Sequence, residues 1–162
     1  MIENRQFVSA GFEPIPKHGA EASWAGGELS FEQVESGGKR ILVADDEELL
    51  RACLRMMLEL EGHLVTEATN GAEALNLFKS GEFDLVITDF EMPVMQGDEL
   101  AVRIKLLSPS LPVLMVTGSG RARPDARNPV DAVLSKPFNV GELHDALGKL
   151  FSAQRECAKS AP

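Results

Sequence analysis

Short apolar runs alternate along this chain with stretches whose apolar residues recur every three to four positions, and this rhythm constrains the fold more than any other feature. The runs are Arg40–Ala44, His63–Glu67, Asp84–Thr88, Pro112–Thr117 and Val130–Ser135, each too short for a buried helix and rich in β-branched residues. Between them, Leu49, Leu50, Cys53, Leu54, Met57, Leu58 and Leu60 recur at helical spacing until Gly62. Ala72–Ser80 follows an Asn70-Gly71 turn, and Gly97–Leu107 runs until Pro109. After the last run, Asn139–Phe151 puts Leu143, Ala146, Leu147, Leu150 and Phe151 on one face. A strand apolar nearly throughout has no solvent side, so it belongs in a parallel sheet covered on both faces by helices. Right-handed crossovers then predict a doubly wound, five-stranded α/β domain over residues 39–153.

The rhythm fails at Gly118–Pro129, where two glycines and two prolines oppose a continuous helix and at most a short, irregular turn is expected. Residues 1–38 hold Pro14, Pro16 and paired glycines without periodicity. They read as a mostly disordered extension in which Leu29–Glu35 is a candidate helical turn. Residues 154–162 read as a flexible polar tail.

With 162 residues, 44% of them hydrophobic, the chain supports one domain with a real core. A net charge of −9 argues against a nucleic-acid-binding surface, which would show a clustered basic face. No run approaches a membrane span, and Met1–Ala10 lacks the apolar block of a signal peptide. Cys53 and Cys157 have no metal or redox spacing, a usage that suits a reducing cytoplasm. Cys53, within an apolar helical pattern, reads as a small core residue. His18, His63 and His144 are scattered, and each reads as a surface or boundary residue.

Four of the five strands end in a reactive group: Asp45-Asp46 after the first, Asp89 after the third, Thr117 on the fourth and Lys136-Pro137-Phe138 after the fifth. In a parallel sheet these ends share one edge, the edge where open α/β sheets bind ligands. If the first, third, fourth and fifth strands are neighbours, the groups converge on one cleft. Three carboxylates in one pocket repel each other and need a divalent cation, and an all-oxygen donor set suits Mg²⁺. A central carboxylate kept ionised in this way can act as a nucleophile toward a phosphoryl group. Phosphoryl transfer needs charge neutralisation and positioning above all, and the Lys136 ammonium and Thr117 hydroxyl can supply both.

Val43-Ala44-Asp45-Asp46, Asp89-x-x-Met92-Pro93-x-Met95-x-Gly97, Thr117-Gly118 and Lys136-Pro137-Phe138 together resemble the receiver domain of bacterial two-component response regulators, over about residues 40–151. The resemblance implies a flavodoxin-like sheet of order 2-1-3-4-5 in a stand-alone receiver. It implies Asp89 as phosphoacceptor, Thr117 and Lys136 as phosphoryl-binding residues, and Mg²⁺ held by Asp45, Asp46, Asp89 and the main-chain carbonyl of Glu91. It further implies a cis Lys136–Pro137 bond, a histidine kinase or histidine phosphotransfer protein as donor, and a downstream protein as target. Met92-Pro93 and Gly97 read as shaping the loop after Asp89.

Two departures fall on the output side. Val133 stands where the family usually carries Tyr or Phe, and the chain has no Tyr at all. The helix expected between the fourth and fifth strands is short or irregular, with Arg121, Arg123 and Arg127 available to answer a new dianion. An interaction module that no longer switches is the alternative reading. An Asp-nucleophile phosphatase of the haloacid-dehalogenase type would carry Asp-x-Asp, whereas this chain has Asp89-Phe90-Glu91. A flavodoxin-like FMN site would need a phosphate-cradling loop after the first strand, and none follows it.

Overall fold

The computed structural model describes residues 38–118 and 129–159, the last three by their backbone alone. The expected extension over 1–38 and the expected irregular turn over 118–129, with its three arginines, therefore lie outside the described residues except at their ends.

Strands β1 (Arg40–Ala44), β2 (Leu64–Ala68), β3 (Leu85–Asp89), β4 (Val113–Thr117) and β5 (Ala132–Ser135) alternate with helices α1 (Glu48–Leu60), α2 (Gly71–Ser80) and α3 (Gly97–Leu107), and α4 (Val140–Lys159) follows β5. All pairings are parallel, in the order β2-β1-β3-β4-β5. This is the doubly wound, flavodoxin-like arrangement that the family resemblance implies. The three central strands are buried almost throughout, whereas the edge strands β2 and β5 are half-exposed. Burial on both faces is why the central strands read as continuous apolar runs.

The pleat sorts the core into two layers. Leu42, Ala44, Val86, Val113 and Met115 face α2 and α3, meeting Ala74, Leu75, Leu100, Ala101 and Ile104. Ile41, Val43, Leu85, Ile87, Leu114 and Val116 face α1 and α4, meeting Leu54, Leu58, Leu143, Leu147 and Leu150. Fully burying one such aliphatic side chain contributes about 1.5–3 kcal/mol. A one-residue slip would turn every strand residue to the wrong layer, so this packing also sets the register that aligns the strand ends.

Several boundaries and faces differ from expectation. β2 lies one residue later than the run His63–Glu67, because His63 belongs to the turn and packs its ring edge-to-face on Phe151 at 5.9 Å. β5 begins at Ala132, since Asp131 is occupied in bonding the Val113 amide at 2.7 Å and Lys105 at 2.7 Å. α4 continues to Lys159, so residues 154–159, expected as part of a tail, are helical. Ser152–Lys159 contains no glycine or proline, and nothing in its sequence stops the helix. Cys53 is exposed and not a core residue, and Leu49 and Leu60 are 76% and 81% exposed. At 100° per residue these three lie roughly a quarter turn or more from the Leu54–Leu58 stripe that meets the sheet.

Candidate functional site

Four strand ends do converge. Asp45 follows β1, Asp89 closes β3, Thr117 closes β4 and Lys136 follows β5. The ladder carries each beyond its strand: Asp45 donates its N–H to the Ala68 carbonyl at 3.2 Å, and Lys136 donates its N–H to the Thr117 carbonyl at 2.8 Å. The Lys136–Pro137 bond is cis, as the resemblance implies. Beyond it, Asn139 and Glu142 cap α4 reciprocally, with Glu142 N–H to Asn139 Oδ1 at 3.0 Å and Asn139 N–H to Glu142 Oε2 at 2.8 Å. That cap sets where the segment after Lys136 enters its helix.

The loop from Asp89 to Gly97 is held close to the strand end. Gly97 donates its N–H to the Phe90 carbonyl at 3.0 Å, and any Cβ on Gly97 would run into the Asp89 carbonyl. Here glycine is required for a close approach. Met92 is buried among the α2–α3 layer, which anchors the middle of the loop. The expected shaping role of Met92 and Gly97 is thus visible in their contacts.

A cleft of about 210 Å³ is lined by Asp45, Asp46, Glu47, Asp89, Glu91, Thr117, Gly118 and Lys136. The Lys136 ammonium lies 2.8 Å from Asp89 Oδ1 and 3.2 Å from Asp45 Oδ2. Asp45 and Thr117 are 1% exposed and Asp89 is 7% exposed. Glu47 N–H donates to Asp45 Oδ1 at 2.8 Å, and Glu91 N–H donates to Asp89 Oδ2 at 3.1 Å. Burial pushes the Asp45 carboxyl above its ordinary value, although the Glu47 amide and Lys136 both pull the other way. Burial also works against the Lys136 ammonium, but the bond to Asp89 and the charges of both acids outweigh it, so its pKa is raised. One ammonium therefore serves two buried carboxylates and leaves Asp45 still unfavourably ionised.

Larger hollows lie elsewhere, among them one of about 580 Å³ at Pro109, Pro112, Asp131 and Leu150. Its lining brings a single carboxylate, already paired with Lys105. The chemistry is in the smaller cleft.

Every residue expected at the site lines this cleft, but they are not equally committed. Asp46 and Glu91 are exposed, and among the described residues no three His, Cys, Asp or Glu side chains gather closely enough to hold a metal ion. The donor set nevertheless fits Mg²⁺. It is all oxygen, two of its carboxylates are buried, and a cation already sits between those two. Sequence reasoning missed Arg51, whose Nη1 donates to the Asp45 carbonyl at 2.7 Å, and its partner Glu67. The available signal was Arg51 and Arg55 at i, i+4 in an apolar helix, with Glu67 the lone charge of the run His63–Glu67.

A family model for the response regulator receiver domain matches residues 41–148. The chain is 40% identical over 118 residues to the response regulator receiver protein CpdR of Brucella abortus, covering 71% of this chain and 98% of that protein. To the chemotaxis protein CheY of Halobacterium salinarum it is 32% identical over 118 residues, covering 71% and 98%. It is also similar to the crystal structure of the response regulator protein TrrA of Thermotoga maritima in complex with Mg(2+)-BeF. That match has a TM-score of 0.66 and 40% identity, and it covers 69% of this chain and 98% of the other.

Proposed function

Since the chain belongs to the response regulator receiver family of two-component signalling, we propose that Asp89 accepts a phosphoryl group from the phosphohistidine of a histidine kinase or histidine phosphotransfer protein. The observation that carries this reading is the Lys136 ammonium between Asp45 and Asp89 in a cleft that also holds Asp46, Glu91 and Thr117. In the transfer, an Asp89 carboxylate oxygen attacks phosphorus while the P–N bond to the donor imidazole breaks. The imidazole leaves with that electron pair, and Asp89 becomes an acyl phosphate. Thr117 donates its hydroxyl hydrogen to one phosphoryl oxygen, and Lys136, already 2.8 Å from Asp89, pairs with another. Asp45, Asp46, Asp89 and the Glu91 carbonyl would hold Mg²⁺, which neutralises charge on the transferring oxygens when bound.

Receiver domains are signalling modules, and this one acts by protein contact in the cytoplasm, without turning over an external substrate. No helix of the described residues is long and apolar enough to cross a membrane. Leu49, Cys53, Met56 and Leu60 are exposed along α1, spaced by four, three and four residues. That is the spacing of a helix–helix seam. It starts at the end of α1 nearest the cleft and supports docking of a donor helix there.

The test is incubation with Mg²⁺ and acetyl phosphate, read by intact mass. The wild-type chain gains one phosphoryl group and Asp89→Asn gains none. A wild-type mass that stays unchanged, with amide resonances around Asp89 also unmoved by beryllofluoride, refutes the phosphoacceptor and leaves an interaction module.

A further inference from the structure

We propose that Arg51 is a positioning residue for the acid loop, holding the peptide between Asp45 and Asp46 in the orientation that lets their carboxylates and Asp89 close on one divalent cation. This rests on the reading of those acids as metal ligands. Arg51 lies on α1 with its side chain only 13% exposed. Its Nη1 donates to the Asp45 carbonyl at 2.7 Å, and its Nε lies 3.3 Å from Glu67 Oε1 on β2. The second oxygen of Glu67 is taken by Arg55 at 2.8 Å, so Glu67 is itself fixed from two sides.

The consequence follows from the planarity of the peptide unit. The Asp45 carbonyl and the Asp46 N–H belong to one rigid plane, so fixing the oxygen fixes the base from which Asp46 projects. Asp45 has other anchors: its N–H on Ala68, and its carboxylate on Glu47 N–H and Lys136. Asp46 is exposed, and among the described residues no hydrogen bond or ion pair holds its side chain. The Arg51 bond therefore restrains the peptide that leads into Asp46, as the Glu47 N–H bond to Asp45 Oδ1 restrains the peptide that leaves it. Partners that orient the residues of a metal site typically change affinity by about 10–100-fold when removed.

Positioning and plain electrostatics predict opposite signs. A guanidinium beside the acids repels a divalent cation, so if Arg51 acted only as a charge, Arg51→Met would tighten Mg²⁺ binding. If it acts as a clamp, Arg51→Met weakens binding. The experiment is a Mg²⁺ titration of the full chain by calorimetry, and by the amide shifts of Asp46 and Glu91, in wild type, Arg51→Met, Arg51→Lys and Glu67→Asp. The Kd is expected to rise about tenfold in Arg51→Met. Arg51→Lys, which keeps the charge but not the fork geometry, falls between. In acetyl phosphate labelling the half-saturating Mg²⁺ concentration rises while the limiting rate at saturation is unchanged, a split that general destabilisation would not produce.

Should Arg51→Met not fold, Glu67→Asp carries the test. It keeps the charge, so plain electrostatics predicts an unchanged Kd, whereas the shorter side chain loosens the guanidinium from β2 and must raise the Kd if Arg51 is a clamp. Unchanged or tighter Mg²⁺ binding in a folded Arg51→Met, or in Glu67→Asp, overturns the role of Arg51 alone. A wild-type chain that binds no Mg²⁺ overturns the reading of the site itself.

Discussion

Asp45→Asn should make the metal-free protein more stable and the metal-bound protein less so. Asp45 is 1% exposed and its carboxyl is pushed up by burial, so ionisation at neutral pH opposes folding. Each unit of such a shift is worth about 1.4 kcal/mol. Asparagine keeps an oxygen for the Glu47 amide, which now donates to Asp45 Oδ1 at 2.8 Å. It removes one of the two buried charges that share Lys136, leaving the ammonium to Asp89. Lost attraction to Lys136 already figures among the opposing causes of the Asp45 shift, so the net change favours the variant. We expect a gain of about 1 kcal/mol without Mg²⁺, or about 4 °C in Tm for a domain of this size.

Adding Mg²⁺ reverses the order. A ligand at one hundred times its Kd stabilises the native state by about 2.7 kcal/mol, and the variant lacks a ligand. Thermal melts of both proteins with EDTA and across a Mg²⁺ series should therefore cross. The sign with pH is also determined. A carboxyl raised in the folded state binds protons there before it does in the unfolded chain, so wild-type stability recovers as pH falls through the raised value. The metal-free gap between variant and wild type must narrow in that direction. A variant less stable than wild type in EDTA, or one that keeps the wild-type Mg²⁺ shift, would refute the reasoning.

Two further expectations concern packing and pH. Leu58→Ala should destabilise by about 2–5 kcal/mol, because Leu58 is fully buried, whereas Leu60→Ala, at 81% exposure, should stay within about 0.5 kcal/mol by urea titration. His63 has a lowered pKa from burial, and Lys39 and His144 add to the effect while Glu61 opposes it. In the native state it is therefore protonated later than in the unfolded chain, and stability falls as pH drops below about 6.5. His63→Phe keeps a ring against Phe151 and should flatten that acid limb in chemical denaturation measured from pH 7.5 to pH 5 or so.

The edge of the sheet at which the reactive residues gather was legible before any coordinates. β1, β3 and β4 are apolar on both faces, only a parallel sheet buries such strands, and in such a sheet Asp45, Asp89, Thr117 and Lys136 share an edge. The α1 faces were less legible. Leu49, Cys53 and Leu60 fit a helical repeat as well as Leu54 and Leu58 do, because periodicity marks apolar stripes without saying which one meets the sheet. The extent of α4 was hidden for a related reason. Residues 152–159 are helix formers without an apolar stripe, and composition alone makes such a segment look like a tail.

The residue types and the order of strand ends were thus determined by the chain itself, since burial on two faces leaves few topologies and each strand end is a fixed address within them. The tertiary structure alone decided how those addresses are wired. It put one ammonium between two carboxylates, buried Asp45 while leaving Asp46 and Glu91 exposed, and brought Arg51 from a helix onto the Asp45 carbonyl with Glu67 from a strand paired to its guanidinium. These are distances between side chains remote in sequence, set by how the helices pack on the sheet. No local pattern encodes them.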